Sequence, residues 1–244
     1  MIPSMEPGVT EDALLGGRVR LLQPARGYRV AVDAVLLAAA IDAGPGQRVL
    51  DLGAGVGAVG LCLAARVSDC RIVGIELQPE LAHLARRNAE LNGMAERVTT
   101  IIHDLAQPLP DLGRFDHVAT NPPYMAAAVA DPSPDRSKAL ATVESSADLA
   151  RWLEVATAAL KPAGTLTLIH RSDRLDEIAA QLTQLGWGAL EVKPLPPAAR
   201  VLVRARRADT PTRRQSPPLV LHRPDGGYTP EAEAILRHGE PLAF

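Results

Sequence analysis

The sequence has few aromatic residues (3%), only two cysteines and no surplus of basic residues. Cys62 and Cys70 lack the spacing of a metal site or of a disulfide framework, which excludes a small secreted domain held together by disulfides. No apolar run approaches the length of a membrane span, and the first residues lack the pattern of a signal peptide. With a net charge of −2, the chain has no overall basic field to attract nucleic acid. We therefore expect a reduced, cytoplasmic protein without a metal ion or a membrane segment.

Apolar residues make up 47% of the 244 residues, which is enough for one domain with a full hydrophobic core. Short apolar segments alternate with helical patterns, as is typical of an α/β fold with a doubly wound, mostly parallel sheet. We expect one domain in three parts: a lead-in with a helix (1–45), a catalytic α/β core (46–208) and a C-terminal extension (209–244). Residues 1–12 are expected to be mobile.

A glycine-rich segment follows the first predicted core strand. Residues 49–57, Val-Leu-Asp-Leu-Gly-Ala-Gly-Val-Gly, combine a buried strand containing Asp51 with a loop that opens a helix. Glycines at this point let a ligand approach the backbone, and the helix N-terminus offers free amide groups. Nineteen residues beyond Gly57, the next predicted strand ends in Glu76, which can accept hydrogen bonds from both ribose hydroxyls of an adenosine. These features predict a nucleoside-binding site.

Two cofactors fit such a site, because residues 55–60 also match the G-x-G-x-x-G pattern of dinucleotide-binding proteins. Asp51 argues against a dinucleotide, since it would place negative charge beside a pyrophosphate. S-adenosylmethionine carries a sulfonium and an ammonium, and an acidic loop suits both. Asp104, at the end of the third predicted strand, can accept from the adenine amino group; its alternative role is to cap a turn. The combination favours S-adenosylmethionine.

The tetrapeptide Asn121-Pro122-Pro123-Tyr124 closes the predicted strand over residues 115–120. Its consecutive prolines fix two φ angles and remove two backbone donors, so the carbonyl groups point in set directions. The Asn121 side chain and the Pro122 carbonyl can accept the two protons of a planar amino group, and Tyr124 offers a stacking surface. A proline-rich turn without function is the alternative. Together with the upstream motifs, the tetrapeptide predicts methyl transfer to an amino nitrogen, with Asn121, Pro122 and Tyr124 as catalytic residues.

With these motifs the chain resembles the class I S-adenosylmethionine-dependent methyltransferases, and more narrowly the bacterial tRNA adenine-N6-methyltransferase family. The narrower likeness is carried by the glycine-rich loop and by residues 27–37, 121–124, 218–222 and 227–229. It implies a seven-stranded, mostly parallel sheet whose last strand is antiparallel. It also implies S-adenosylmethionine as the cofactor and an adenine in RNA, with tRNA favoured, as the methyl acceptor.

The resemblance also assigns individual residues. It places Asp33 near the methionine end of the cofactor, although aspartate at this point can instead cap the helix that follows. Arg29 could meet the methionine carboxylate, an ordinary surface arginine being the alternative, and Tyr28 and Tyr228 could stack on a ligand or pack in the fold. The candidate cofactor-binding residues are Asp33, Asp51, Gly53, Ala54, Gly55, Glu76, Leu77, Asp104, Leu105 and Asn121.

Other activities remain open on the sequence alone. A protein glutamine N5-methyltransferase would use the same tetrapeptide, but the short segment before residue 46 leaves no room for the larger N-terminal domain of such enzymes. A DNA adenine methyltransferase would need a target-recognition insert, which is missing. A small-molecule N-methyltransferase fits the motifs equally well. A nicotinamide-dependent dehydrogenase or a nucleotide-sensing module would explain the glycines but not residues 121–124.

Two further segments are candidates for contact with RNA. Residues 126–144 are long and broken by prolines, and they are expected to form a lid or a substrate contact, with Arg136 and Lys138 near phosphate. A flexible surface insertion is the alternative. Six arginines close together in the sequence could follow a phosphate backbone, the alternative being a solvated strand end and loop. They are Arg200, Arg204, Arg206, Arg207, Arg213 and Arg214. The sequence leaves the oligomeric state open between monomer and homodimer.

Overall fold

The computed structural model describes residues 8–124 and 146–244. The strands are β1 (Val9–Leu14), β2 (Val19–Pro24), β3 (Arg48–Leu52), β4 (Arg71–Glu76), β5 (Val98–Ile102), β6 (Phe115–Thr120), β7 (Leu160–Arg171), β8 (Ala189–Pro194), β9 (Arg200–Arg206) and β10 (Thr212–Gln215). The α-helices are α1 (Val32–Ala40), α2 (Ala58–Arg66), α3 (Pro79–Leu91), α4 (Leu149–Ala159), α5 (Leu175–Gln184) and α6 (Pro230–His238). Of the helices described, none combines the length and the apolar character needed to cross a membrane.

Eight strands of the described ranges form one sheet in the order β10-β8-β9-β7-β6-β3-β4-β5. Neighbouring strands are parallel except around β9, which runs antiparallel to both β7 and β8. The doubly wound, mostly parallel sheet is thus confirmed, and its reversed strand is β9, which is followed by one more strand rather than being the last as expected. The expected number of seven strands is wrong, because β10 adds a parallel edge strand beside β8. All four residues of β10 are exposed, so its sequence lacks the alternation of apolar and polar residues that indicates a strand.

Apolar side chains are buried on both faces of this sheet. One core cluster contains residues of α1, α2, α3 and α6, and the other contains residues of α4 and α5. Strand β3 contributes to both, with Val49 in the first cluster and Leu50 and Leu52 in the second. Because successive side chains of a strand point to opposite faces, a strand covered on both sides has a continuous apolar sequence.

An antiparallel hairpin of β1 and β2 precedes the main sheet. The expectation of mobility is therefore wrong for residues 9–12, which lie in β1, whereas residues 1–7 are outside the described residues. Arg20 and Glu11 form an ion pair across the hairpin at 2.6 Å, and Leu21 of β2 is fully buried. The hairpin forms because β2 packs on the core and β1 pairs with it, which the polar sequence of β1 does not indicate.

Both cysteines, Cys62 and Cys70, are buried and free. Burial raises the pKa of the Cys62 thiol to about 12. Since the thiolate is the nucleophilic form, Cys62 is inert at neutral pH, as its position in a helix predicts.

Candidate active site

A cavity of about 540 Å³ opens at the carboxyl edge of the sheet, where β3, β4, β5 and β6 end. Ligands of open α/β folds bind at this edge, because the loops that follow the strands converge there. Five separate segments of the chain bring all the predicted catalytic and cofactor-binding residues to the wall of this one cavity. They are Asp33, Asp51, Gly53, Ala54, Gly55, Glu76, Leu77, Asp104, Leu105, Asn121, Pro122 and Tyr124.

The glycine-rich loop after β3 turns sharply through three positive φ angles. These are 75° at Gly53, 56° at Gly55 and 86° at Gly57, values that residues with a side chain rarely adopt. The Gly53 N–H donates to the carbonyl of Ile75 at 2.9 Å, which ties the loop to the end of β4. Space is equally restricted, since a Cβ at Gly55 would lie 2.6 Å from the hydroxyl of Tyr28. The loop therefore presents bare backbone to the cavity.

Replacing Gly53 by alanine should destabilise the protein. A φ of 75° strains a residue with a side chain by about 1–2 kcal/mol, and the new Cβ would lie 2.6 Å from the Trp152 ring. Gly46→Ala is the matched control, because Gly46 has a φ of 77° and nothing within 4 Å of its added Cβ. In urea unfolding, we expect Gly53→Ala to lower the free energy of unfolding by about 1–3 kcal/mol more than Gly46→Ala does. Equal losses would mean that Trp152 moves aside without penalty.

Glu76, the last residue of β4, is buried at the cavity wall. Its Oε2 accepts from the Gly55 N–H at 2.7 Å, and its Oε1 accepts from the Gln78 N–H at 2.8 Å. Burial raises the pKa of Glu76, against the effect of these backbone donors. Each carboxylate oxygen has a second lone pair, so Glu76 can still accept from a ligand while it holds the loop in place.

Asp51, in β3, lines the same cavity with only 2% of its surface exposed. Neither carboxylate oxygen has a hydrogen-bond partner among the residues that the structure describes. Burial raises the pKa of Asp51 to about 7, and the nearby charge of Glu76 contributes to the rise. A buried carboxylate without partners suits a cationic ligand, because an ammonium supplies both the opposite charge and the missing donors. Asp51 therefore fits the amino group of S-adenosylmethionine.

The raised pKa of Asp51 makes its contribution to stability depend on pH. With a pKa of about 7 in the folded protein and an ordinary value of 3.8, the carboxyl takes up a proton on folding. Its contribution is present at low pH and is lost as the pH rises through the folded value. We expect the difference in melting temperature between wild type and Asp51→Asn (wild type minus variant) to decrease as the pH rises from about 5 to about 8. The comparison cancels the contributions of His117 and His170, which are present in both proteins. Their lowered pKa values change stability with pH in the opposite direction. A difference that does not change with pH would contradict the prediction.

Residues 121–124 follow β6 and form the opposite wall. The side-chain oxygen of Asn121 is buried and has no hydrogen-bond partner within residues 8–124 and 146–244. Pro122 and Pro123 are buried, whereas Tyr124 is partly exposed. A buried acceptor without a partner is destabilising unless something binds it, so the Asn121 oxygen is a point where a ligand N–H can bind.

Asp33 is not the N-cap of α1, so its alternative interpretation as a capping residue is wrong. The helix begins at Val32, after Ala31, and this places Asp33 inside the first turn. Its Oδ2 accepts from the Tyr124 hydroxyl at 2.7 Å and from Nε of Arg200 at 3.2 Å. Asp33 therefore connects the segment before the sheet to the Asn-Pro-Pro-Tyr segment.

Tyr28 and Arg29 also line the cavity. Burial raises the pKa of Tyr28, so its phenol stays neutral. Its hydroxyl lies close to the backbone of Gly55. Arg29 donates to Asp12 at 2.8 Å and to the hydroxyl of Thr10 at 2.9 Å, so the N-terminal hairpin holds it in place. A role of Arg29 toward the methionine carboxylate stays a prediction.

The loops after β4 and β5 complete the cavity. Oδ1 of Asp104 accepts from the Ala106 N–H at 2.9 Å and from the Ser146 hydroxyl at 2.7 Å, so Asp104 does cap a turn, and it lines the cavity as well. Leu77 and Leu105 add apolar surface on this side, and a planar aromatic ligand could pack between such groups.

The cavity wall also includes Trp152, which no local motif indicates, and Arg200, which the sequence offers only as one of the clustered arginines. Trp152 lies on α4 and packs against Gly53, whereas Arg200 is the first residue of β9. Both come from elements far along the chain, so only the pairing of the strands brings them to the site.

Each of the six clustered arginines has a contact within the fold. Arg204, Arg206 and Arg214 all pair with Glu191, at 3.7, 3.0 and 3.1 Å. Arg200 pairs with Asp33, Arg213 pairs with Asp176, and Arg207 lies over the ring of Trp187. The side chains of Arg206, Arg213 and Arg214 are still 44%, 45% and 67% exposed, so contact of this cluster with phosphate stays a prediction. Residues 126–144, the other candidate for RNA contact, lie outside the described residues.

A parallel sheet with this strand order and a nucleoside-sized cavity above its first core strands is the architecture of the class I S-adenosylmethionine-dependent methyltransferases. The chain belongs to the methyltransferase small domain family, whose sequence profile matches residues 29–177. As a member of this family it is a methyltransferase that uses S-adenosylmethionine, which agrees with the unpaired carboxylate of Asp51 and the bare glycine loop.

Two curated relatives illustrate the range of the family. The chain is 33% identical over 229 residues to the tRNA1(Val) (adenine(37)-N6)-methyltransferase of Porphyromonas gingivalis, with 88% of each protein covered. It is 37% identical over 169 residues to the release factor glutamine methyltransferase of Deinococcus radiodurans, covering 66% of this chain and 58% of that protein.

Solved structures agree with the fold. A predicted O-methyltransferase from Agrobacterium tumefaciens has a TM-score of 0.70 and 28% identity, with 87% of this chain and 99% of that chain covered. A 16S rRNA methyltransferase from T. thermophilus, solved with AdoMet and guanosine, has a TM-score of 0.60 and 22% identity, with 82% of this chain and 50% of that chain covered. At that identity the second likeness shows the fold alone.

Proposed function

We propose that this protein transfers a methyl group from S-adenosylmethionine to the exocyclic N6 of an adenine in tRNA. The adenine at position 37 of a valine tRNA is the favoured target, because the relative from Porphyromonas gingivalis that matches along 88% of its length carries this activity in its name. A relative from Yersinia enterocolitica, 31% identical over 215 residues, carries the same name. Such a substrate places the reaction in the cytoplasm.

One observation carries the proposal: the side-chain oxygen of Asn121 is buried at the cavity wall, and none of the described residues bonds to it. A planar amino group has two N–H donors, and the rigid segment offers two acceptors, the Asn121 oxygen and the Pro122 carbonyl. Binding an amino group restores the missing hydrogen bond of Asn121. An acceptor of this kind selects an amino group over a hydroxyl or a carbon atom, because those groups cannot donate twice.

These two acceptors also prepare the nitrogen for reaction. The lone pair of an exocyclic adenine nitrogen is delocalised into the ring, and hydrogen bonds from its protons to Asn121 and Pro122 draw it toward tetrahedral geometry. The cofactor supplies a methyl group on a positively charged sulfur, which leaves as a neutral thioether. The nitrogen forms its bond to the methyl carbon as the carbon–sulfur bond breaks, and the product then loses a proton to water. Catalysis is therefore mostly positioning.

The cofactor side of the cavity has a matching set of groups. In the proposal, Asp51 pairs with the ammonium, Glu76 accepts from the ribose hydroxyls and Asp104 accepts from the adenine amino group of the cofactor. The loop residues Gly53, Ala54 and Gly55 give close backbone contact, and Leu77 and Leu105 pack against the adenine. Asp33 lies between the methionine end and Tyr124.

Methylation of a protein glutamine is the second candidate, because a side-chain amide also presents two N–H donors and the glutamine methyltransferase of Deinococcus radiodurans is 37% identical over its matched part. That relative extends well beyond the matched 58% of its length. The match to the tRNA methyltransferase of Porphyromonas gingivalis covers 88% of each protein, so the tRNA remains the first candidate.

Tritiated methyl transfer into total RNA from a strain lacking this gene tests the proposal directly. We expect label in the tRNA fraction, recovered as N6-methyladenosine after nucleoside digestion, and a much lower initial rate of transfer from Asn121→Ala. The parallel assay uses release factors as acceptors. Label in protein and none in RNA would overturn the tRNA assignment while leaving the chain a methyltransferase.

A further inference from the structure

The ring of Tyr124 is held by three groups from different parts of the fold. Its hydroxyl donates to Oδ2 of Asp33 at 2.7 Å, in the first turn of α1. The guanidinium carbon of Arg200 lies 4.2 Å from the ring centre, over its face. The buried ring of His170, at the end of β7, meets Tyr124 edge to face with ring centres 5.3 Å apart. Such contacts fix both the position and the tilt of an aromatic ring.

Asp33 and Arg200 also hold each other. Nε of Arg200 donates to the same Asp33 oxygen at 3.2 Å, and the two side chains are only 16% and 28% exposed. The tyrosine, the carboxylate and the guanidinium thus form a closed triangle at the cavity wall, beside Asn121. Arg200 is the first residue of β9, which runs antiparallel to β7, so it pairs with Arg171 near the end of β7. Because β7 is parallel to β6, this places Arg200 at the edge of the sheet where β6 ends.

We propose that Arg200 is a positioning residue for methyl transfer, which with Asp33 clamps Tyr124 in the orientation that a target base needs beside Asn121. This inference rests on the proposed function, because it takes Tyr124 as the stacking surface of the acceptor. Because the ring is already oriented, substrate binding does not have to meet the entropic cost of ordering it. Arg200 acts through Tyr124, so its loss should impair the reaction and leave the cofactor bound.

The first test compares Arg200→Met with Arg237→Met, its matched control. Arg237 pairs with Glu233 at 2.9 Å within α6, outside the group of clustered arginines, and it does not line the cavity. We expect Arg200→Met to lower kcat/KM for tRNA by about 10–100-fold, since small misplacements of reacting groups have effects of this size. The Kd for S-adenosylhomocysteine should stay at the wild-type value, and Arg237→Met should match wild type in both measurements. Wild-type kcat/KM in Arg200→Met would overturn the proposal.

Two further comparisons separate a clamp from general stability. In a Tyr124→Ala background, Arg200→Met should cause no further loss, because the residue that it positions is gone; additive losses would contradict the clamp. Arg200→Lys keeps the cation that pairs with Asp33, so its kcat/KM should recover at least part of the loss seen in Arg200→Met. A lysine variant no better than methionine would show that the cation is not what holds Tyr124.

A spectroscopic measurement tests the clamp without any substrate. The chain has only three tyrosines, so NMR spectra of protein with ¹³C-labelled tyrosine rings are simple, and Tyr124→Phe identifies the Tyr124 signal. We expect Arg200→Met to shift or broaden the Tyr124 signal and to leave those of Tyr28 and Tyr228 in place. An unchanged Tyr124 signal would overturn the clamp even if tRNA is methylated. A shifted signal with no tRNA methylation by wild type would instead overturn the proposed substrate and keep the clamp.

Discussion

Asn121→Ala should lower the turnover number for methyl transfer by about 10²–10³-fold, as does the loss of other preorganised hydrogen-bond partners at a reacting group. The reason is that the buried Asn121 oxygen is the side-chain acceptor that the Asn-Pro-Pro-Tyr segment offers to an amino group. Affinity for S-adenosylhomocysteine should change little, because Asp51, Glu76 and the glycine loop are untouched. Single-turnover assays with radiolabelled cofactor and calorimetric titration with S-adenosylhomocysteine measure the two quantities separately.

Asn92→Ala is the control for this experiment. Asn92 ends α3 and bonds to the backbone of Arg20, and it does not line the cavity. Its replacement should lower the melting temperature slightly and leave turnover at the wild-type value. If Asn121→Ala turned over as fast as wild type, the assignment of Asn121 as the acceptor of the amino proton would be wrong.

Glu76→Ala should show the opposite pattern to Asn121→Ala: a large effect on cofactor binding and a smaller one on turnover at saturating cofactor. Its carboxylate holds the N–H groups of Gly55 and Gln78, and in the proposal it also accepts from the ribose. Ribose hydroxyls that are buried on binding without their acceptor cost about 1–3 kcal/mol, which corresponds to a loss of roughly 5–150-fold in affinity for S-adenosylhomocysteine. Calorimetric titration gives the affinity directly.

Glu90→Ala is the matched control, because Glu90 is an exposed residue of α3 away from the cavity. The affinity of this variant should equal that of wild type. A Glu76→Ala protein that binds S-adenosylhomocysteine as tightly as wild type would contradict the ribose role and would leave Glu76 as a loop-holding residue only.

The α/β fold was predictable from local pattern because short, mostly apolar segments such as β3 and β4 alternate with helical patterns, as a sheet covered on both faces requires. Strand β10 was not predictable in this way. Its four residues are exposed, and it is a strand only because β8 lies beside it. The same holds for β1, whose pairing with β2 depends on a neighbour that the polar sequence of β1 does not reveal.

The parts of the site that act through contiguous residues were predictable from the sequence alone. The glycine loop, Glu76 and residues 121–124 could be recognised because glycine and proline set the backbone locally, whatever packs around them. The structure brings these segments to one cavity, as their positions at the ends of parallel strands predict. Their individual roles toward cofactor and substrate stay predictions for the variants above to test.

The side chains that support that site become visible only in the packed fold. Asp33 is 167 residues from Arg200 along the chain, yet both contact Tyr124 because α1 and the reversed strand β9 meet at the end of β6. The same packing pairs Arg204, Arg206 and Arg214 with Glu191, a partner that the spacing of the arginines does not reveal. A side chain acquires partners of this kind only when distant strands pair, and the local sequence around it carries no record of that pairing.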